Sequence, residues 1–131
     1  VPLNDAWGYN NRTVAMRIPH SNEANTRVEH RIAGADANPY LVTAAVLAGM
    51  LHGIENGFDP GPPVVGNAYE QTEIRTPYWR QAIGDFMASG FIREQFGESF
   101  RHIYGEQKRK EMLDFHAQVP DLDYAWYLRT V

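Results

Sequence analysis

Cysteine is absent from all 131 residues. Without it neither a disulfide framework nor a thiolate metal site can form, so packing alone must hold the fold, and a cytoplasmic location is expected. A basic excess is missing too. Twelve Lys and Arg stand against sixteen Asp and Glu, a formal charge of -4, which argues against broad binding to nucleic acid or an anionic membrane, since both need a basic surface. There is no long apolar run either. The most apolar stretch, Pro39 to Leu51, is about thirteen residues and is interrupted by Thr43, whereas a membrane span needs about twenty. Val1 to Gly8 carry neither the basic nor the apolar segment of a signal peptide. The five histidines, His20, His30, His52, His102 and His116, lack metal-ligand spacing and read as structural or surface residues. No internal repeat or low-complexity segment occurs.

What is present is a chain 44% hydrophobic and 12% aromatic, enough for one modest core but not two. Two strand-like segments come first, Arg12 to Ile18 and Thr26 to Ile32, and an antiparallel pair is the simplest arrangement. Asn38 and Pro39 then give an N-cap followed by proline at the first helical position, predicting a helix to about Asn56 with Gly57 closing it. Its apolar residues are spread almost all around, the pattern of a central core helix. The Pro- and Gly-rich stretch from Phe58 to Asn67 forbids regular structure. Thr76 and Pro77 repeat the cap signal ahead of Trp79, Ala82, Ile83, Phe86 and Met87 at helical spacing, up to Gly90. Ile92, Phe96, Phe100 and Ile103 continue a stripe that Met112, Leu113 and His116 extend toward Val119, and Pro120 ends it. A last helical segment, Asp121 to Thr130, offers Leu122, Trp126 and Leu128 as anchors. Trp79, Phe86, Phe96 and Phe100 read as packing residues. The expected fold is α+β: a short antiparallel strand pair followed by about four helices.

The densest chemistry is the set Arg12, Arg17, Arg27, Glu29 and Arg31, four guanidinium groups and one carboxylate within about twenty residues. On a strand, Arg27, Glu29 and Arg31 share one face. Guanidinium groups bind phosphate and carboxylate oxygens through paired hydrogen bonds, and a carboxylate among them can hold a hard cation bridging the same phosphates. Charge patterning alone favours the plainer alternative, a solvated sheet face carrying Arg–Glu salt bridges. Arg12 and Arg17 are five apart, so a regular strand points them to opposite faces; if both serve one site, Arg12 must lie in a loop before the strand.

The segments "NNRTVAMRIP" and "RVEHRIAGADANPYLVTAAVLAGMLHGIENG" resemble the C-terminal signature of the glutamine synthetase family. Asn-Arg-Thr/Ser, Arg-Ile-Pro, Arg-x-Glu-x-Arg and Asn-Pro-Tyr-Leu follow in the family's order and spacing. The likeness runs from Trp7 to the end and looks closest to the γ-glutamyl-polyamine synthetase subgroup. It implies that residues 1–131 are the C-terminal portion of a catalytic domain, with the N-terminal domain and most of the catalytic domain upstream. The opening without methionine fits that expectation. It further implies an ATP-dependent ligase joining the glutamate γ-carboxyl to ammonia, or to a polyamine such as putrescine, through γ-glutamyl phosphate. Magnesium or manganese would be required, and self-association is expected. Carried over by residue, Arg12 and Arg17 would contact the nucleotide phosphates and the transferring phosphoryl group, and Arg27 the nucleotide side. Glu29 would be a metal ligand, and Arg31 would face the glutamate γ-carboxylate and its acyl-phosphate. The family's other metal ligands, its ATP loop and its flap glutamate are not in this sequence, so the chain alone is expected to be inactive. Tyr69 lies near a regulatory tyrosine of some bacterial relatives, but its "GNAYEQ" context differs from theirs. A non-catalytic helical assembly module is the alternative from a different class.

Overall fold

A computed structural model describes residues 4–73 and 78–130. The chain forms two compact units, Val1–Thr76 and Pro77–Val131. In the first unit three short strands make one sheet in the order β1, β2, β3, with β1 at Trp7–Tyr9, β2 at Met16–Ile18 and β3 at Glu29–His30. The expected antiparallel pair is present as β2 and β3, in register Met16 to His30 and Arg17 to Glu29, but it is shorter than the sequence reading. An additional strand, β1, runs parallel to β2. Three residues are too few to show an alternation in sequence.

The Gly- and Pro-rich stretch lies along β1 rather than looping away from it. Val64 N–H donates to the Trp7 carbonyl at 2.8 Å, and the Trp7 indole N–H donates to the Gly61 carbonyl at 3.0 Å. This approach is why residue 8 is glycine. A Cβ there would lie 2.7 Å from the Val64 carbonyl oxygen. Behind the sheet, Val14 and Ala15 are buried, and so is Asn4. The Asn4 side chain accepts from Ala6 and Ala15 N–H at 3.2 and 3.1 Å and donates to the Thr13 carbonyl at 2.9 Å. Its polar atoms are therefore satisfied in place.

Helix α1 spans Pro39–Glu55. Asn38 caps it, its carboxamide oxygen accepting from Tyr40 and Leu41 N–H at 3.0 and 3.2 Å. At the other end Gly57, at φ 63°, donates to the Ile54 carbonyl while Phe58 N–H reaches the Gly53 carbonyl. That paired closure defines a Schellman stop, and the accompanying ring contact joins Phe58 to His52, centroids 5.3 Å apart. The expectation of a central core helix fails within this chain. No α1 residue is buried, and Tyr40 and Ile54 are 83% and 76% exposed. One side of α1, including Val42, Ala45 and Val46, shares a groove of about 620 Å³ with Met16, Val28 and His30 of the sheet region. A small sheet covers one side of a helix, whereas an all-round apolar surface needs cover on several.

The second unit is helical: α2 (Trp79–Ala88), α3 (Gly90–Phe96), α4 (Glu98–His116) and α5 (Asp121–Tyr127). Five helices thus follow the sheet among the described residues. The Thr76–Pro77 cap lies outside them. The stripe read through Phe96 and Phe100 is broken at Gly97, whose φ of 86° ends α3 and starts α4. Phe86, Phe100 and Tyr104 form a ring cluster with centroid separations of 5.3 to 6.5 Å, and Phe96 stacks on Phe100 at 5.5 Å. Met112 is buried, and Gly105 lets the Met87 side chain lie against α4 where a Cβ would collide. Leu122, Trp126 and Leu128 are 53%, 60% and 72% exposed, so the anchoring read for them is not formed within this chain. No described helix is long and apolar enough to cross a membrane.

Candidate active site

The sheet register decides which charges meet. Because Arg17 stands directly opposite Glu29, their side chains share a face, and Arg17 Nη1 donates to Glu29 Oε2 at 2.9 Å. Arg27 approaches the other carboxylate oxygen, Nη2 to Oε1 at 3.8 Å. Glu29 is therefore flanked by two guanidinium groups. The hydrogen bond from Arg17 holds its carboxyl below the usual carboxylate range against some desolvation, and the charges of Arg17, Arg27 and Arg31 act in the same sense as that bond. Arg31 is fixed through its backbone, N–H to the Ala15 carbonyl at 3.0 Å. The Nε atoms of Arg17 and Arg31 are buried with no acceptor among the described residues. Three positive side chains around one carboxylate leave a surplus of positive charge, the condition for holding an anion.

Arg12 is placed differently. It is exposed in the 10–15 connection before β2, where its five-residue spacing from Arg17 requires it to be if the two are to serve one site. It borders a recess of about 420 Å³ together with Tyr9, Asn10, Asn11 and residues 63–66. Its charge is not among those that act on Glu29. The link between the two parts of the site is Asn10. At φ 52° it occupies the left-handed region that asparagine tolerates, and its carboxamide oxygen accepts from His20 N–H at 2.9 Å and Arg17 Nη2 at 3.3 Å.

The neighbours of Arg12 are the residues that sequence reasoning left without roles. Asn11 donates through Nδ2 to the carbonyls of Val64 and Gly66 at 3.2 and 2.8 Å, while its oxygen accepts from Thr13 N–H and Oγ1 at 2.9 and 2.7 Å. Thr13 Oγ1 in turn accepts from Ala68 N–H at 2.8 Å. The Asn-x-Thr spacing is an Asx-turn signal and could have marked this loop in advance.

Among the described residues no group of three or more His, Asp or Glu side chains is arranged to hold a metal ion. Glu29 can supply one oxygen ligand, and the remaining ligands would have to come from outside the described residues. His30 lines the apolar groove beside α1. Tyr69, 41% exposed, sits in the short turn Ala68–Glu70.

Residues 1–127 match the family described as "Glutamine synthetase, catalytic domain". The chain belongs to the glutamine synthetase family. It is 44% identical over 130 residues to a gamma-glutamylputrescine synthetase of Escherichia coli, covering 98% of this chain and 28% of that protein. It is 40% identical over 129 residues to a glutamate–isopropylamine ligase of a Pseudomonas species, covering 95% and 28%. Against a glutamine synthetase of Thermus thermophilus the identity is 32% over 138 residues, covering 98% and 31%. The chain thus spans less than a third of the length of these curated relatives. The matched relatives include ligases, and residues 1–127 fall within the family's catalytic domain.

Proposed function

We propose that this chain supplies one charged wall of the active site of an ATP-dependent ligase, which joins the glutamate γ-carboxyl to ammonia or an amine. The observation that carries the reading is the Glu29 carboxylate held between Arg17 and Arg27, with Arg31 adding charge on the same face. In the first step a γ-carboxylate oxygen of glutamate attacks the ATP γ-phosphorus and ADP leaves, giving γ-glutamyl phosphate. In the second, the nitrogen lone pair attacks the acyl carbon, phosphate departs, and the nitrogen loses a proton. Negative charge on the phosphoryl oxygens must be offset throughout, which positioned guanidinium groups do without reorganising.

In this account Arg12 and Arg17 bind phosphate oxygens, Arg27 serves the nucleotide side, and Arg31 faces the γ-carboxylate and its acyl-phosphate. Glu29 would be one ligand of a divalent magnesium or manganese ion, which would supply positive charge against the phosphoryl oxygens. Arg17 holds one carboxylate oxygen, Oε2, at 2.9 Å, while Oε1, with Arg27 at 3.8 Å, is the oxygen that would serve as the ligand. Ammonia is the simplest acceptor. The higher identity to two proteins named for amine substrates, 44% and 40% against 32% for a glutamine synthetase, favours an amine and within that class a polyamine such as putrescine. Self-association and a cytoplasmic setting belong to the same proposal.

The test uses the full-length protein carrying these residues, incubated with ATP, magnesium and glutamate and either ammonium or putrescine. The proposal expects phosphate release coupled to a γ-glutamyl amide, faster with putrescine if the amine reading holds. ATP-independent or absent product formation with every acceptor would overturn it.

A further inference from the structure

We propose that Asn11 and Thr13 are positioning residues, which lock the Arg12 loop to the 64–68 segment and so set where the Arg12 guanidinium points. The inference rests on the reading of Arg12 as a phosphate-binding arginine. Among the described residues no hydrogen bond holds the Arg12 side chain itself, so its direction depends on the backbone that carries it. That backbone is gripped on both sides. Asn11 spans the gap to the carbonyls of Val64 and Gly66 while its oxygen folds back on Thr13. Thr13 takes the N–H of Ala68, a residue with no exposed surface, and is followed by Val14 and Ala15 at 0% and 1% exposure.

The arrangement accounts for all three side chains. Two short polar groups are used up by hydrogen bonds to a segment more than fifty residues away in sequence, and the long cation between them is left free beside the recess. A clamp built only to stabilise the turn would work with any residue at position 12. A clamp built to aim Arg12 has its effect through that guanidinium and through nothing else. A displacement of about 1 Å at such a group is enough to lose roughly 100-fold in rate.

The test is a double-mutant cycle in the full-length enzyme, with γ-glutamyl phosphate formation as the rate measured. Thr13→Val removes the hydroxyl at constant shape and is expected to lower kcat about 10- to 100-fold, while the KM for glutamate stays within about 3-fold. Thr13→Ser, which restores the hydroxyl, is expected to restore most of kcat. In an Arg12→Ala background Thr13→Val is expected to cause no further loss, because residues acting as one unit are not additive. Losses that multiply in the two backgrounds, or a Thr13→Val enzyme with normal kcat, would overturn the positioning role. If Thr13→Val does not accumulate as folded protein, Asn11→Asp carries the same cycle, since it keeps the acceptor oxygen and removes the donors to Val64 and Gly66. Arg12→Ala with undiminished kcat would overturn the phosphate-binding reading itself, a result distinct from multiplicative losses beneath an impaired Arg12→Ala.

Discussion

Replacing Gly8 by alanine places a Cβ 2.7 Å from the Val64 carbonyl oxygen, well inside contact distance and against backbone rather than a flexible side chain. Relief requires residues 61–64 to move away from β1. The bonds at stake are Val64 N–H to the Trp7 carbonyl, 2.8 Å, and the Trp7 indole to the Gly61 carbonyl, 3.0 Å. Each is worth about 1 kcal/mol, and overpacking a buried site adds about 1–3 kcal/mol, so a loss of roughly 3–5 kcal/mol is expected. For a unit of this size that lowers Tm by on the order of 10–40 °C. The control is Gly53→Ala in α1, where a Cβ meets nothing within 4 Å. Relief of helix-interior glycine should raise stability by about 0.5–1 kcal/mol there. Both variants are read by thermal unfolding at neutral pH, followed by circular dichroism. A Gly8→Ala protein melting within about 2 °C of the parent would refute the close packing of residues 61–64 on β1.

Three further outcomes follow from the site. Arg31→Lys keeps the charge but loses the planar two-pronged donor, so it should strongly impair γ-glutamyl phosphate formation in the full-length enzyme; unchanged kinetics would reduce Arg31 to a surface cation. The folded-state pKa of Glu29 lies below its ordinary value of 4.5, chiefly through the Arg17 hydrogen bond, so its stabilisation is present above 4.5 and is lost as pH falls through the lowered value. Glu29→Gln should accordingly narrow the difference in Tm between neutral and strongly acidic pH, and an unaltered difference would show that the pair contributes nothing to folding. The isolated 131-residue chain should neither hydrolyse ATP nor form a γ-glutamyl amide from glutamate with ammonium or putrescine, because Glu29 is the one metal ligand proposed in it; turnover above the buffer blank would contradict that.

Helix α1 was legible because its ends are written locally, in the Asn38–Pro39 cap and the Gly57 stop. Its surroundings were not. An apolar surface all round says that cover is needed, and nothing in the pattern says whether the same chain supplies it. The charged face of residues 27, 29 and 31 could be read from the two-residue period of a strand, but the pairing of Arg17 with Glu29 is a fact of register. Strand β1 escaped because its three residues carry no alternation and its other neighbour, the 61–64 segment, is more than fifty residues away. The α3–α4 break was hidden by Phe96 and Phe100, whose four-residue spacing continues the stripe across Gly97. At the site the arginines were conspicuous by charge, while Asn11 and Thr13 act through bonds to backbone atoms more than fifty residues away, which spacing alone does not reveal.

The most direct test of the account is the rate of γ-glutamyl phosphate formation by full-length Glu29→Ala, trapped as the hydroxamate at saturating magnesium and compared with the parent enzyme. The substitution frees Arg17 and Arg27 but removes the carboxylate on which they converge. A loss of about 100- to 1000-fold with near-normal folding is predicted, the scale of removing one preorganised electrostatic group. Near-normal turnover would contradict the assignment of this charged sheet face to phosphoryl transfer.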